Sequence, residues 1–107
     1  MLIFSQSKNL IINLNRISKI YIEPQQKYCD EAKNGFLICF HGDTLRGFLA
    51  EYKTKLAARV VLNLLIHYAE TNATFAMPTN DEVEAYMREE RITTENFLPY
   101  STFCYKK

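Results

Sequence analysis

Cys39 and His41 are the two residues of the sequence that most resemble a catalytic pair. They lie two residues apart in a run typical of a β-strand, so their side chains should point to the same face of a sheet. A histidine beside a cysteine can generate a reactive thiolate. However, no acidic residue is identifiable that would orient His41, and a cysteine in mid-strand is among the residues most often buried. We therefore predict that the protein is not an enzyme.

Metal and phosphate sites are not indicated either. The chain has three Cys and two His, with no C-x-x-C or H-x-x-x-H pair of the kind that structural zinc sites use. Its three glycines form neither a G-x-G-x-x-G fingerprint nor a P-loop. We expect no metal and no cofactor.

A basic cluster at the start of the predicted main helix is a candidate nucleic-acid site. It consists of Lys53, Lys55 and Arg59. Tyr21 and Phe48 could stack on bases if they are exposed. Further cations come from strands and turns, namely Lys8, Arg16, Lys19 and Arg46. The net charge of only +1 argues against this interpretation, and the same residues could simply cover the solvent side of a sheet. We retain nucleic-acid binding as an alternative.

The end of the chain is acidic and then aromatic. Residues 79–95 contain six acidic residues and two arginines. An acidic helix can bind a basic groove, and aromatic side chains outside a core are favoured at protein interfaces. The candidate partner-binding residues are Glu82, Glu89, Glu90, Phe97, Tyr100, Phe103 and Tyr105. The alternatives are a homodimer interface, and a strap that only docks Val83, Met87 and Phe97 on the domain.

Along the chain, the elements predicted to position these residues are first strands and then helices. Runs rich in β-branched and aromatic residues predict strands over 2–6, 10–14, 17–23, 36–41 and 44–50. Gly42 and Asp43 predict a tight hairpin turn in which the glycine has a positive φ. We expect an α+β fold with about four antiparallel strands, a meander or roll, covered by one long helix and followed by a short acidic helix and tail.

The long helix is predicted over 55–70, with Thr54 as its N-cap. A helical period places one apolar stripe toward the sheet, namely Ala57, Val60, Val61, Leu64, Leu65 and Tyr68. Leu62 and Ile66 widen the apolar arc beyond that stripe. The C-terminal segment could fold back and cover them.

Later in the chain, the pattern of residues 74–77 predicts a short edge strand. Thr79 and Glu82 then form the pattern of a capping box at the start of a second helix. We therefore divide the chain into a sheet-plus-helix domain, 1–76, and an extension, 77–107. The extension is either part of the same domain or an appendage.

Length and composition are those of one globular domain. The chain has 107 residues, of which 48% are hydrophobic and 23% charged. No apolar run approaches the roughly 20 residues that span a bilayer. The odd number of cysteines and the absence of a signal-peptide pattern favour a reducing, cytoplasmic location.

Several residues of the first three-quarters of the chain resemble a group of small uncharacterised proteins of Gram-positive bacteria and their phages and mobile elements. They are Ser5, Gln6 and Lys8, then Asn13, Ile17 and Ile20–Ile22, and later Ala50–Tyr52, Thr54, Ala57, Val60 and Leu62. The resemblance covers roughly residues 1–80 and brings no active-site residue with it. It implies a phage or mobile-element accessory protein that acts on a host component. By analogy, small proteins of that kind include inhibitors of host defence proteins such as CRISPR nucleases. A non-enzymatic protein-binding module is the function that we expect.

Overall fold

Two small β-sheets and two α-helices form the part of the chain that the structure describes. This computed structural model describes residues 1–25, 35–69, 71 and 74–97, and the backbone of 102–103. The strands are β1 (Leu2–Phe4), β2 (Ile11–Asn13), β3 (Ile17–Pro24), β4 (Phe36–Gly42), β5 (Arg46–Tyr52), β6 (Phe75–Ala76) and β7 (Thr102–Phe103). The helices are α1 (Lys55–Tyr68) and α2 (Asn80–Glu89). The α+β class is confirmed.

The predicted single sheet is confirmed only in part, because the first two strands form a sheet of their own. The larger sheet has the antiparallel order β5-β4-β3-β7, and the smaller has the order β2-β1-β6. In the smaller sheet β1 is antiparallel to β2 and parallel to β6. A single 3₁₀ turn, Leu14–Arg16, separates the sheets, and the Asn13 side chain caps it by accepting the N–H of Asn15 at 3.0 Å. The chain therefore changes direction between β2 and β3.

The predicted positive φ at Gly42 is wrong, since none of the described glycines has one. Gly42 is instead the last residue of β4, and its N–H donates to the carbonyl oxygen of Leu45 at 2.6 Å. A Cβ at this position would collide with the carbonyl oxygen of Arg16. Close approach of the 3₁₀ turn, and not turn conformation, explains the glycine.

Helix α1 begins where Thr54 caps it, with the Thr54 hydroxyl oxygen accepting the N–H of Ala57 at 3.1 Å. Its buried residues are Ala57, Ala58, Val60, Val61, Leu62 and Leu65. The predicted stripe is wrong at two positions, because Leu64 is only half-buried and Tyr68 is 44% exposed. The buried arc is shifted toward Leu62 since α1 packs against α2 as well as against the larger sheet.

Helix α2 begins with the predicted capping box. The Thr79 hydroxyl oxygen accepts the N–H of Glu82 at 3.2 Å, and the Glu82 carboxylate accepts the N–H of Thr79 at 3.1 Å. The helix is followed by its C-cap Glu90 and then by Arg91, which has a φ of 53°. The N–H of Ile92 then donates to the carbonyl oxygen of Met87 at 2.9 Å, as in a Schellman motif. Both ends of α2 are thus stabilised by residues within a turn of it.

The segment between β6 and α2 is held by hydrogen bonds to the first part of the chain. The N–H of Met77 donates to the carbonyl oxygen of Phe4 at 3.0 Å. The Pro78 carbonyl oxygen accepts two side-chain donors, the Tyr52 hydroxyl at 2.7 Å and the Gln6 amide at 3.1 Å. Burial raises the pKa of the Tyr52 phenol, and the charge of Glu82 adds to the effect.

One core cluster spans the boundary predicted between residues 76 and 77. Met77 and Val83 are 3% and 1% exposed, and both belong to the same cluster as Ile3, Ile20 and Leu65. Of the two arrangements left open by the sequence, these contacts favour a segment 77–97 that is part of the same domain over an appendage.

Candidate functional site

The outward face of the smaller sheet is apolar except for Asn13, which lies opposite Leu2. In β1, Ile3 is fully buried whereas Leu2 on the opposite face is 44% exposed. Phe4 is half-buried and lies directly opposite Ile11 of β2, which is 54% exposed. On the other side Phe4 pairs with the exposed Ala76 of β6. We call Leu2, Phe4, Ile11 and Ala76 the outer patch.

The outer patch adjoins a strand edge whose backbone groups point away from the sheet. In the β1–β2 ladder the N–H of Leu14 donates to Met1 at 3.0 Å and the N–H of Ser5 donates to Leu10 at 2.9 Å. Hydrogen-bonded pairs alternate along an antiparallel ladder, so Ile11 directs its N–H and C=O groups outward and Asn13 its N–H. The Asn13 carbonyl belongs to the 3₁₀ turn that this residue caps. Among the described residues no strand pairs with this side of β2. We call it the β2 edge.

The face of the larger sheet opposite the core cluster carries three rows of side chains that run across its strands. Two rows are buried at their centres, at Cys39 and Leu37. Directly opposed residues point to the same face, and two bulges, at Ser18 and Leu49, set which residues are opposed. The rows are Lys19–His41–Arg46, then Tyr21–Cys39–Phe48, then Glu23–Leu37–Glu51. We call them the basic, aromatic and acidic rows.

The basic row is exposed on all three strands, at Lys19, His41 and Arg46. The Lys19 ammonium lies 4.6 Å from the centroid of the Tyr21 ring in a cation–π arrangement. The hydroxyl of Ser18 donates to the backbone carbonyl oxygen of His41 at 2.9 Å, which ties β3 to β4 at this end of the sheet. Three polar side chains that can donate hydrogen bonds are therefore lined up across a firmly paired surface.

Cys39 and His41 share a face, as predicted, but they differ in exposure. Cys39 is 1% exposed, and its thiol contacts the carbonyl oxygen of Leu37 at 4.0 Å. His41 is exposed to solvent. A reactive thiolate needs partial exposure and an electropositive neighbourhood. The described geometry offers this thiol no access for a substrate, and the absence of enzymatic activity stays a prediction.

The predicted basic cluster of α1 is less exposed than the sequence suggests. Lys53 and Lys55 are exposed, whereas Arg59 is half-buried. The Arg59 Nε is buried without a hydrogen-bond partner among the described residues. This cluster presents two exposed cations rather than three.

The predicted partner-binding residues are distributed along and beyond α2. Glu82, Glu89 and Glu90 are exposed, and the Glu82 carboxylate is engaged in the capping box. Phe97 is half-buried against the core. For Phe103 the structure describes only the backbone, in β7, and Tyr100 and Tyr105 lie outside the described residues. Glu82 and Glu89 are seven residues apart and therefore lie on the same face of α2.

The capping box at the start of α2 predicts how the stability of the fold changes at acid pH. The pKa of the Glu82 carboxyl lies below its ordinary value because the backbone N–H of Thr79, and then its hydroxyl, donate to the carboxylate. A carboxyl with a lower pKa in the folded state stabilises the fold above its unfolded pKa, near 4.5, and that stabilisation is lost as the pH falls through the folded value. Urea midpoints measured from neutral to acid pH should fall less steeply for Glu82→Gln than for the natural protein.

Glu84→Gln is the matched control, since Glu84 is exposed on the same helix outside the capping box. Equal acid sensitivity of Glu82→Gln and the natural protein would contradict the role given to this carboxylate.

Metal ligands do not gather in the described residues, among which no group of three or more His, Cys, Asp or Glu side chains could hold an ion. Comparisons with protein families, curated proteins and solved structures give no match. In the described residues no helix combines the length and apolar character needed to cross a membrane.

The outer patch was missed in the sequence, whereas Lys19 and Arg46 of the basic row are among the strand cations weighed for nucleic-acid binding. The alternation of Leu2, Ile3 and Phe4 could have indicated an exposed apolar face, but only if the opposite face had first been identified as core. The basic row depends on a register that bulges shift, so spacing alone does not reveal it.

Proposed function

We propose that the protein is a small non-enzymatic module that binds another protein through the outer patch and the β2 edge. The observation that carries this proposal is the coincidence of the two features on one side of the smaller sheet. An extended segment of a partner could pair with the outward N–H and C=O of Ile11 and with the N–H of Asn13. The outer patch would then supply the apolar area that gives the contact its strength.

The chemistry of the edge supports a binding role. Proteins protect their sheet edges with charged side chains, proline, bulges or very short strands. β2 is short, with three residues, but Ile11 at its edge is 54% exposed and has the exposed Leu10 as its neighbour. An apolar residue at this position costs solubility unless a partner covers it.

The partner's identity is proposed only from the resemblance to small phage and mobile-element proteins. That resemblance favours a host defence protein such as a CRISPR nuclease. A second copy of the chain, forming a homodimer, would use the same edge by pairing β2 with β2. The odd number of cysteines in the sequence supports a reducing, cytoplasmic place of action.

Ile11→Lys is expected to abolish partner binding, because a charge would lie in the middle of the apolar contact. Truncation of a central interface residue commonly costs about 2 kcal/mol or more, or roughly 30-fold in affinity. The measurement is quantitative mass spectrometry of proteins retained from a lysate of the encoding organism, together with sedimentation velocity for self-association.

Leu45→Lys is the matched control, since Leu45 is 44% exposed in the β4–β5 turn and belongs neither to the outer patch nor to the β2 edge. Glu89→Gln with Glu90→Gln tests the acidic helix as the binding surface. Retention of the same partners by Ile11→Lys and their loss in the acidic-helix variant would place the interface on α2 instead.

A further inference from the structure

We propose that Gln6 and Asn80 seal the outer edge of β5 and so prevent copies of the protein from joining head to tail. Two strand edges are involved, since β5 is an end strand of the larger sheet and β2 is an end strand of the smaller one. No described strand pairs with the β2 edge, whereas the β5 edge is occupied by these two residues. The proposal goes beyond partner binding and shares with it only the open β2 edge.

The outward backbone groups at the end of β5 are hydrogen-bonded to residues from elsewhere in the chain. The N–H of Gln6 donates to the Leu49 carbonyl oxygen at 2.8 Å, and the Gln6 side-chain oxygen accepts the N–H of Glu51 at 3.0 Å. The Asn80 side-chain amide donates to the Glu51 carbonyl oxygen at 3.1 Å and accepts the N–H of Lys53 at 3.0 Å. We call these four bonds the edge seal.

The edge seal has the hydrogen-bond pattern of a parallel strand. In a parallel ladder, a residue that bonds to the neighbouring strand uses its N–H and its C=O on two residues that are two positions apart. Gln6 bonds in this way to Leu49 and Glu51. Asn80 does the same with Glu51 and Lys53. The two residues therefore occupy the edge as a strand would, although they come from distant parts of the chain.

Both residues of the seal are also positioned by contacts away from the β5 edge. The Gln6 side-chain amide donates to the Pro78 carbonyl oxygen at 3.1 Å, and the same oxygen accepts the Tyr52 hydroxyl at 2.7 Å. Asn80 is the first residue of α2, next to the capping-box residue Thr79. The seal is thus preorganised, so little conformational freedom is lost when its bonds form.

The open β2 edge is complementary to the groups that the seal covers. In an antiparallel pair, Ile11 of one copy would exchange two hydrogen bonds with Glu51 of another. In the same register, the N–H of Asn13 would donate to the Leu49 carbonyl oxygen of that copy. Contacts between two different edges are head-to-tail, and they generate rings or open filaments. A chain with both edges open would therefore assemble with itself.

Hydrogen exchange of the natural protein tests the seal without any substitution. Glu51 and Lys53 are exposed residues, yet their N–H groups are bonded, whereas the N–H of Ile11 lies on the open β2 edge. In dilute solution, exchange at Glu51 and Lys53 should be at least about tenfold slower than at Ile11, after correction for intrinsic rates. Equal protection of the three amides would overturn the proposal.

The double variant Gln6→Ala with Asn80→Ala removes three of the four bonds, since the Gln6 backbone N–H remains. Exchange at Glu51 and Lys53 should become at least about tenfold faster. The N–H of Tyr52 points toward β4 and should keep its rate. In sedimentation velocity from about 10 to about 300 μM, this variant should form species larger than a dimer that grow with concentration.

Asn96→Ala is the matched control for loss of an amide. The Asn96 side chain also bonds two backbone groups, the N–H of Thr93 at 2.8 Å and the carbonyl oxygen of Arg91 at 2.9 Å, but it touches neither edge. This variant should sediment as the natural protein does.

Ile11→Lys added to the double variant tests which edge accepts the exposed β5. A lysine on an edge strand opposes strand addition, so the triple variant should lose the large species. The proposal is overturned if the double variant sediments as the natural protein does, if the triple variant still forms the large species, or if Asn96→Ala forms them equally. Partner capture by the natural protein is a separate measurement, so these failures leave the proposed function standing.

Discussion

A chain that ends at Asn80 should fail to fold cooperatively. The missing segment supplies the fully buried Val83 and the apolar side chains that pack against the same core, namely Tyr86, Met87, Ile92 and Phe97. At about 1–3 kcal/mol for each of these five side chains, the loss is on the order of 5–15 kcal/mol. This is comparable with the entire stability of a small domain, about 5–15 kcal/mol. Circular dichroism during urea titration should show no sigmoidal transition.

A point change in the intact chain tests the same contact without removing any backbone. Val83→Asp places a charge where the side chain is 1% exposed, so it should also unfold the protein or nearly so. Glu84→Gln, at the exposed neighbouring position, should leave the urea midpoint unchanged within error. If the chain that ends at Asn80 folds and has the urea midpoint of the natural protein, α2 is an appendage.

Leu65→Ala is expected to reduce the free energy of unfolding by about 2–5 kcal/mol, because the side chain is fully buried in α1 and its removal leaves a cavity. Leu64→Ala, one residue away, deletes the same atoms from a half-buried position and should cost roughly half as much or less. Guanidinium unfolding of both variants, fitted with one shared dependence of the free energy on denaturant concentration, compares the two losses directly.

The order of these two losses tests the orientation of the helix. The sequence pattern places Leu64 and Leu65 together on the buried stripe, whereas the structure shifts the buried arc toward Leu62. A larger loss for Leu64→Ala than for Leu65→Ala would support the sequence-based stripe and contradict the packing of α1 against α2.

Features that depend on neighbours within one turn could be predicted from the sequence. Thr54 as N-cap, the capping box of Thr79 and Glu82, and the limits of α1 all rest on contacts over three or four residues. Strands were also predictable at their approximate positions, since β-branched and aromatic residues mark them locally.

Features that depend on pairing between distant residues could not be predicted. The smaller sheet exists because β1 pairs with Phe75 and Ala76, far along the chain, and no local signal identifies that partner. The basic row requires Lys19 and Arg46 to face the same side, which follows only after the bulges at Ser18 and Leu49 shift the register. The rotation of the buried arc toward Leu62 likewise depends on where α2 docks.

The parallel pairing of β1 with β6 has a consequence for synthesis of the protein. Phe4 pairs with Ala76, so a ribosome adding about 5–20 residues per second delivers the second strand roughly 4–14 s after the first. Throughout that interval Ile3 and Phe4 lack the neighbour that completes their sheet. The nascent chain therefore presents a short apolar segment to holding chaperones before it can fold, and slower translation would lengthen that exposure.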